Sequence, residues 1–209
     1  MDFIRSERHS HMPGKIQFAI EWQKSAPLKG GDEILKWHRC LYQLKLVGAH
    51  PDGVGYGNIS QRHGRSFLIT GCGVGAIAEP NERHLSSVEG YDIEGNSVRC
   101  LGPIAASSES LTHAALYEAA PWVQAVIHVH SPGLWDKYLG KLATTAASAA
   151  AGTPAMAREI RRIMLNQTGV VPRILVMGGH PAGLVAYGAS LADAGRIIGT
   201  AGAVHEVNI

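Results

Sequence analysis

The chain has 209 residues, of which 45% are hydrophobic and 17% charged, with 19 basic side chains against 17 acidic ones. That length supports one sizeable core or at most two small ones, and the near-neutral balance removes any electrostatic case for a nucleic acid or an anionic membrane as partner. No apolar run approaches the roughly 20 residues of a membrane span, no secretion signal is expected, and three widely spaced cysteines (Cys40, Cys72, Cys100) suggest neither a disulfide framework nor a zinc knuckle. A reducing, cytoplasmic location is the expectation.

The first 31 residues carry no clear pattern. Within them, His9 and His11 lie in a polar stretch without periodicity, where a frayed terminus is expected. From Asp32 the spacing predicts a helix: Ile34, Trp37, Leu41 and Leu44 follow three- and four-residue steps, Asp32 can cap the start and Gly48 can close the end. A glycine-rich loop, "HPDGVGYGNIS", follows. "SFLIT" (Ser66 to Thr70) predicts a strand after a turn at His63-Gly64-Arg65. "GCGVGAIAEPNERH" is a second glycine-rich loop, and "YDIEGNSVRC" predicts two short strands around Glu94-Gly95-Asn96-Ser97. Ala106 to Ala120 predicts a helix capped by Ser107 or Ser108, with Glu109 in its first turn and Pro121 as its stop. Val123 to His130 predicts a strand. Thr153 and Pro154 open a strong helix that Gly169 should end. Arg173 to His180 predicts a buried strand with "GLVAYG" as its neighbour. The chain closes on a helix running to Val207, with Ser190 and Asp193 at capping-box spacing. No repeat or linker interrupts residues 1–209, so one domain is expected, with a mixed, largely antiparallel sheet between helical layers.

The chemistry concentrates in "AVIHVHSP". Side chains alternate along a strand. Val123, Ala125, Ile127 and Val129 should share the core face, while Gln124, Val126, His128 and His130 share the other. Two imidazoles one pleat apart can reach one ion at about 2.0–2.1 Å. His180, at the end of a separate apolar strand in a Gly-Gly turn, is a candidate third ligand. Three neutral histidines with an open position are the pattern of a catalytic metal rather than a structural one. A pair of strand-end histidines bonded to backbone is the alternative for the bare His-x-His. Glu109, alone, would be a surface residue compensating a helix dipole. Beside a metal in a dry pocket it becomes a candidate proton shuttle, because burial can lift a carboxyl toward neutrality. Ser107 and Ser108 at the same helix start offer hydroxyls and free N–H groups to an anion, or simply cap the helix.

The motifs "SSE" (Ser107 to Glu109), "HVH" (His128 to His130), "GGH" ending at His180, "GNIS" (Gly57 to Ser60) and "GTPAMA" from Gly152 stand in the order and rough spacing of one family. From about residue 32 to 205 the chain resembles the class II aldolase/adducin family, which includes fuculose-phosphate aldolase, rhamnulose-phosphate aldolase, ribulose-phosphate 4-epimerase and methylthioribulose-phosphate dehydratase. The resemblance implies a three-layer α/β/α fold and a homotetramer with sites between subunits. It implies His128, His130 and His180 as ligands of a divalent metal, usually Zn2+, with Mn2+ or Co2+ as substitutes. It implies Glu109 as catalytic acid/base, with Asn58, Ser107 and Ser108 gripping a substrate phosphate. The loop Thr70-Gly71-Cys72-Gly73-Val74-Gly75 lacks the hydroxyl that sugar-phosphate members carry, leaving glycine N–H groups, Gly71 among them, to face an anion. The implied activity is a metal-dependent aldolase, a carbon–carbon lyase acting on a small ketose or ketose phosphate through a metal-stabilised enediolate. A 4-epimerase or a dehydratase on the same scaffold is the alternative. A non-catalytic, adducin-like interaction module is the reading from a different class.

Overall fold

The computed structural model describes residues 18–167 and 172–203. His9, His11, Gly169 and the stretch 204–207 lie outside the described residues. Eight strands form one sheet: β1 (Ala19–Lys24), β4 (Asn58–His63), β5 (Ser66–Thr70), β6 (Leu85–Asp92), β7 (Ser97–Gly102), β8 (Ala125–His130), β9 (Ile174–Val176) and β10 (Gly183–Gly188). Their spatial order is β1-β7-β6-β5-β4-β8-β10-β9, and every pairing is antiparallel except β1 with β7. β2 (Gly48–Ala49) and β3 (Gly55–Tyr56) make a separate two-stranded ladder.

Two helices cover each face. α2 (Ser110–Ala119) and α4 (Pro154–Asn166) pack Leu111, Leu116, Met156 and Ile160 against Ile69, Val88, Val126 and Val185. α1 (Asp32–Gln43) and α5 (Leu191–Ile198) pack Ile34, Leu41, Leu191 and Ile198 against Ile59, Ile127, Val129 and Leu184. The three-layer α/β/α arrangement expected from the sequence is present. A short helix, α3 (Pro132–Tyr138), follows β8 directly, with Ser131 as its cap. Among the described residues no helix is long and apolar enough to cross a membrane.

The alternation read from "AVIHVH" holds inside the strand. Ala125, Ile127 and Val129 belong to the α1/α5 core, and Val126 to the α2/α4 core, so His128 and His130 point toward the α2 side. Val123 does not continue the first row. It precedes the strand and packs in the α2/α4 core. Other boundaries move for local reasons. α1 ends at Gln43, and Lys45, at φ 58°, takes the left-handed position that closes it, while Gly48 belongs to β2. α2 starts at Ser110, so Glu109 occupies the cap position instead of the first turn. Thr153 caps α4 as expected. The Asp193 carboxylate accepts from the Ala189 N–H, one residue before the Ser190 cap, which is not the reciprocal capping box. The patternless first 31 residues contain the edge strand β1.

The α1/α5 contact depends on one glycine. A Cβ on Gly195 would stand 2.0 Å from Cη2 and 2.1 Å from Cζ3 of Trp37. Alanine ordinarily gains about 1 kcal/mol over glycine in a helix, whereas overpacking a rigid core typically costs about 1–3 kcal/mol. Gly195→Ala is therefore expected to lower stability by up to about 2 kcal/mol net, read as a reduced denaturant midpoint with an unchanged slope.

Candidate metal centre

β8 lies inside the sheet, flanked by β4 and β10, and all six of its residues are buried. The antiparallel register sets Asn58 of β4 directly opposite His128, so the two side chains share a face. On the other flank Gly183 of β10 stands opposite His130. Glycine is needed there, because a Cβ would lie 2.6 Å from His180 Cδ2. The turn between β9 and β10 folds His180 back over that position, with its N–H bonded to Met177 O at 3.1 Å and its carbonyl accepting from Gly183 N at 2.9 Å. Gly179 lets the turn pack on the preceding loop, where a Cβ would meet Ala149 O at 2.0 Å.

These elements bring His128, His130 and His180 together, each with a ring nitrogen within 4.8 Å of the others. Nε2 of His130 faces Nε2 of His180 at 2.8 Å. Glu109 reaches in from the start of α2: Oε2 is 2.9 Å from His128 Nδ1 and Oε1 is 3.5 Å from His180 Nε2. Its N–H donates to Ser107 Oγ at 3.3 Å, leaving the carboxylate to the histidines. Asn58 Nδ2 is 3.4 Å from His128 Nδ1.

Burial, then the neighbouring imidazoles of His128 and His180, hold His130 down at about 3; burial and then His128 hold His180 at about 4. Both rings are neutral near pH 7, with a lone pair each. For Glu109 burial pushes upward, as the sequence reading expected, but the imidazoles of His128, His180 and His113 outweigh it and hold the carboxyl at about 2. Glu109 is therefore a carboxylate near pH 7.

These residues fit a divalent cation. Three imidazoles and one carboxylate converge, and His128 Nε2 is buried without a hydrogen-bond partner among the described residues. A buried lone pair left unsatisfied beside other imidazoles is favourable when a cation meets it. Beside the histidines opens a cleft of about 250 Å³, walled by the glycine-rich segments 53–57 and 71–75 and bordered by Asn58, Ser107, Ser108 and Glu109. Every site residue expected from the sequence thus belongs to the histidine cluster or to this cleft, but the Gly71 N–H, expected to face an anion, donates instead to the His84 carbonyl at 2.9 Å. Ser108 is exposed, and Ser107 is buried with its hydroxyl engaged by Glu109. Cys72, exposed, also borders the cleft.

Sequence reasoning missed two groups. Tyr56 stacks on His130 with centroids 4.8 Å apart, and His50 meets the same ring at 5.6 Å. Behind His128, His113 joins Asn58 to Ser60 and Tyr117 in the buried layer between β4 and α2. The signal available was N-x-S-x-R on a strand matched with E-x3-H-x3-Y on a helix.

The neutral histidines carry a consequence for stability. Burial and then His128 hold His113 at about 3, against an ordinary value of 6.5. The unfolded chain takes up protons first as pH falls below about 6.5, so folded stability is full above that value and drains away down to about 3–4. Metal-free protein is expected to lose several kcal/mol, on the order of 1.4 per pH unit for each fully buried histidine. Urea titrations at pH 7.5 and at about 5 check the sign; equal midpoints would refute it.

The family profile described as "Class II Aldolase and Adducin N-terminal domain" matches residues 32–201. No curated protein matches the chain. Among solved structures, an L-fuculose 1-phosphate aldolase superposes with a TM-score of 0.61 at 21% identity, covering 80% of this chain and 78% of that one. A sugar-phosphate aldolase from Thermotoga maritima gives a TM-score of 0.60 at 17% identity, covering 82% and 90%. The L-fuculose-1-phosphate aldolase from Thermus thermophilus gives 0.56 at 20% identity, covering 83% and 86%. At these identities the likeness is one of fold.

Proposed function

The chain belongs to the class II aldolase and adducin N-terminal domain family, and from that premise we propose that it is a divalent-metal-dependent carbon–carbon lyase acting on a small ketose or ketose phosphate. The observation that carries this reading is the convergence of His128, His130 and His180 with the Glu109 carboxylate at the edge of a glycine-walled cleft. The three histidines would hold the ion, which when bound supplies Lewis-acid stabilisation of negative charge on a substrate oxygen. Neutral ligands leave the charge of the ion available for that purpose.

The remaining work falls to the protein. Cleavage turns the hydroxyl beyond the breaking bond into an aldehyde, which releases that hydroxyl's proton, and leaves an electron pair on the carbon next to the ketone, where a proton must be delivered. In the synthetic direction the same proton is removed. Glu109, held as a carboxylate between two histidines, is the base for removal and, once protonated, the acid for return. Asn58, Ser107 and Ser108 line the place where a substrate anion or hydroxyl would sit, and Gly71 forms part of its wall. Retention of all three histidines with Glu109 argues against a pure interaction module. Zinc suits three imidazoles, with manganese or cobalt as substitutes. A homotetramer and a cytoplasmic location complete the proposal.

The test begins with metal quantification on purified protein, followed by incubation with ketose phosphates and unphosphorylated ketoses. Release of an aldehyde, dependent on the metal, is expected. Epimerised or dehydrated product without cleavage would move the chain to the alternative reactions, and failure to take up any divalent ion would sink the proposal.

A further inference from the structure

Asn58, Ser60 and Arg62 alternate along β4 and share one face. Glu109, His113 and Tyr117 recur at four-residue spacing from the start of α2 and share one side of it. The two rows interlock. Asn58 Oδ1 lies 2.5 Å from His113 Nε2, Ser60 Oγ lies 2.6 Å from His113 Nδ1 and 2.7 Å from the Tyr117 hydroxyl, and Arg62 Nη2 donates to the Tyr117 carbonyl at 2.7 Å. Asn58, Ser60, His113 and Tyr117 are all buried, so their protons must find acceptors within the row.

Counting protons fixes the direction of the chain. The Tyr117 hydroxyl touches only Ser60 Oγ among the described residues, so its proton goes there. The Ser60 proton then has His113 Nδ1 as its acceptor. His113 therefore carries its one proton on Nε2 and donates it to an oxygen, which is Asn58 Oδ1. Reversing any step leaves a buried proton without an acceptor.

We propose that His113 is a positioning residue that locks the side-chain amide of Asn58, its carbonyl toward α2 and its NH2 group toward His128 and the glycine-walled cleft. An unanchored asparagine amide can turn about its last bond with little change in shape. Turned, it would set the negative end of its dipole against an anionic substrate group at the cleft wall. Locked, it offers N–H donors there and holds its donor side 3.4 Å from the His128 ring. The consequence for substrate rests on the lyase reading; the orientation itself does not.

The test is nitrogen-15 NMR of the imidazoles in the metal-free chain. His113 is expected to show a protonated Nε2 and an unprotonated Nδ1, with stronger proximity effects from the Asn58 amide protons to the His128 ring than to the His113 ring. A protonated Nδ1, or the reverse proximity pattern, overturns the proposal. Two variants add a second readout, the proximity pattern of the Asn58 amide protons. His113→Gln returns an N–H near the place of Nε2 and is expected to keep the wild-type pattern, while His113→Leu removes the donor and is expected to let the amide turn, so that the preference for the His128 ring is lost. The wild-type pattern unchanged in folded His113→Leu would overturn the proposal. A wild type that binds no zinc would remove the lyase reading, and the NMR pattern would still decide the role of His113.

Discussion

Replacing His130 by alanine is expected to empty the metal centre, taking bound zinc from about one ion per chain to a small residue at the same free concentration. The ring is one of three whose nitrogens lie within 4.8 Å of one another, and it faces His180 at 2.8 Å. Without it two imidazoles remain to hold an ion. A loss of at least about a hundredfold in affinity is expected, or about 2.7 kcal/mol. The fold should survive. The backbone of His130 keeps its bond to Leu46 O at 2.8 Å and its place opposite Gly183, neither of which involves the ring. The variant also removes a buried histidine that must stay neutral, so metal-free His130→Ala should lose less stability on acidification than metal-free wild type. A residue that merely packed the core would instead weaken the metal-free protein at every pH. Metal analysis beside urea titrations separates the two, and full zinc content in the folded variant would strike His130 from the ligands.

What the sequence discloses here follows from how local each feature is. The pairing of His128 with His130 was legible because the pleat is a property of one strand, and burial on both sides of β8 does not alter it. The caps of α4 and α5 were legible because Thr153 and Ser190 act within their own first turns. β1 was not, because "AIEWQK" pairs on one edge only, with β7, and its mixed exposure leaves no clean alternation. The start of α2 was displaced because "ASSESL" offers several caps, and only the tertiary fold shows Ser107 turning to the Glu109 N–H. The low pKa of Glu109 was beyond reach for a similar reason. Sequence gives the burial of a carboxyl at best, and here three histidines from three elements outweigh that burial. The row behind His128 needs β4 and α2 to face each other, a fact about packing and not about either segment.

Glu109→Gln should separate the chemistry from the metal. The substitution keeps the shape of the side chain and removes its charge, and the three imidazoles that would hold the ion are untouched, so metal content is expected to remain near that of wild type. Turnover is expected to fall about 10²–10⁴-fold, the usual contribution of a positioned acid/base, which corresponds to about 3–5 kcal/mol in the barrier. The pH dependence sharpens the assignment. The Glu109 carboxyl is held at about 2, while His130 and His180 titrate at about 3 and about 4. As pH falls, the histidines take up protons and release the ion before Glu109 loses its charge. Acid inactivation of wild type should therefore track metal loss and be relieved by added zinc, and above about pH 5 no limb of the rate profile should belong to Glu109. In the variant the acid limb should move to lower pH, since the Glu109 charge that raises both His130 and His180 is gone, while the plateau is lowered throughout. Steady-state rates on metal-loaded protein across that range are the measurement. A plateau at the wild-type level in Glu109→Gln would show that the proton moves through some other group, and the carboxylate would then be a support for His128 and His180 alone.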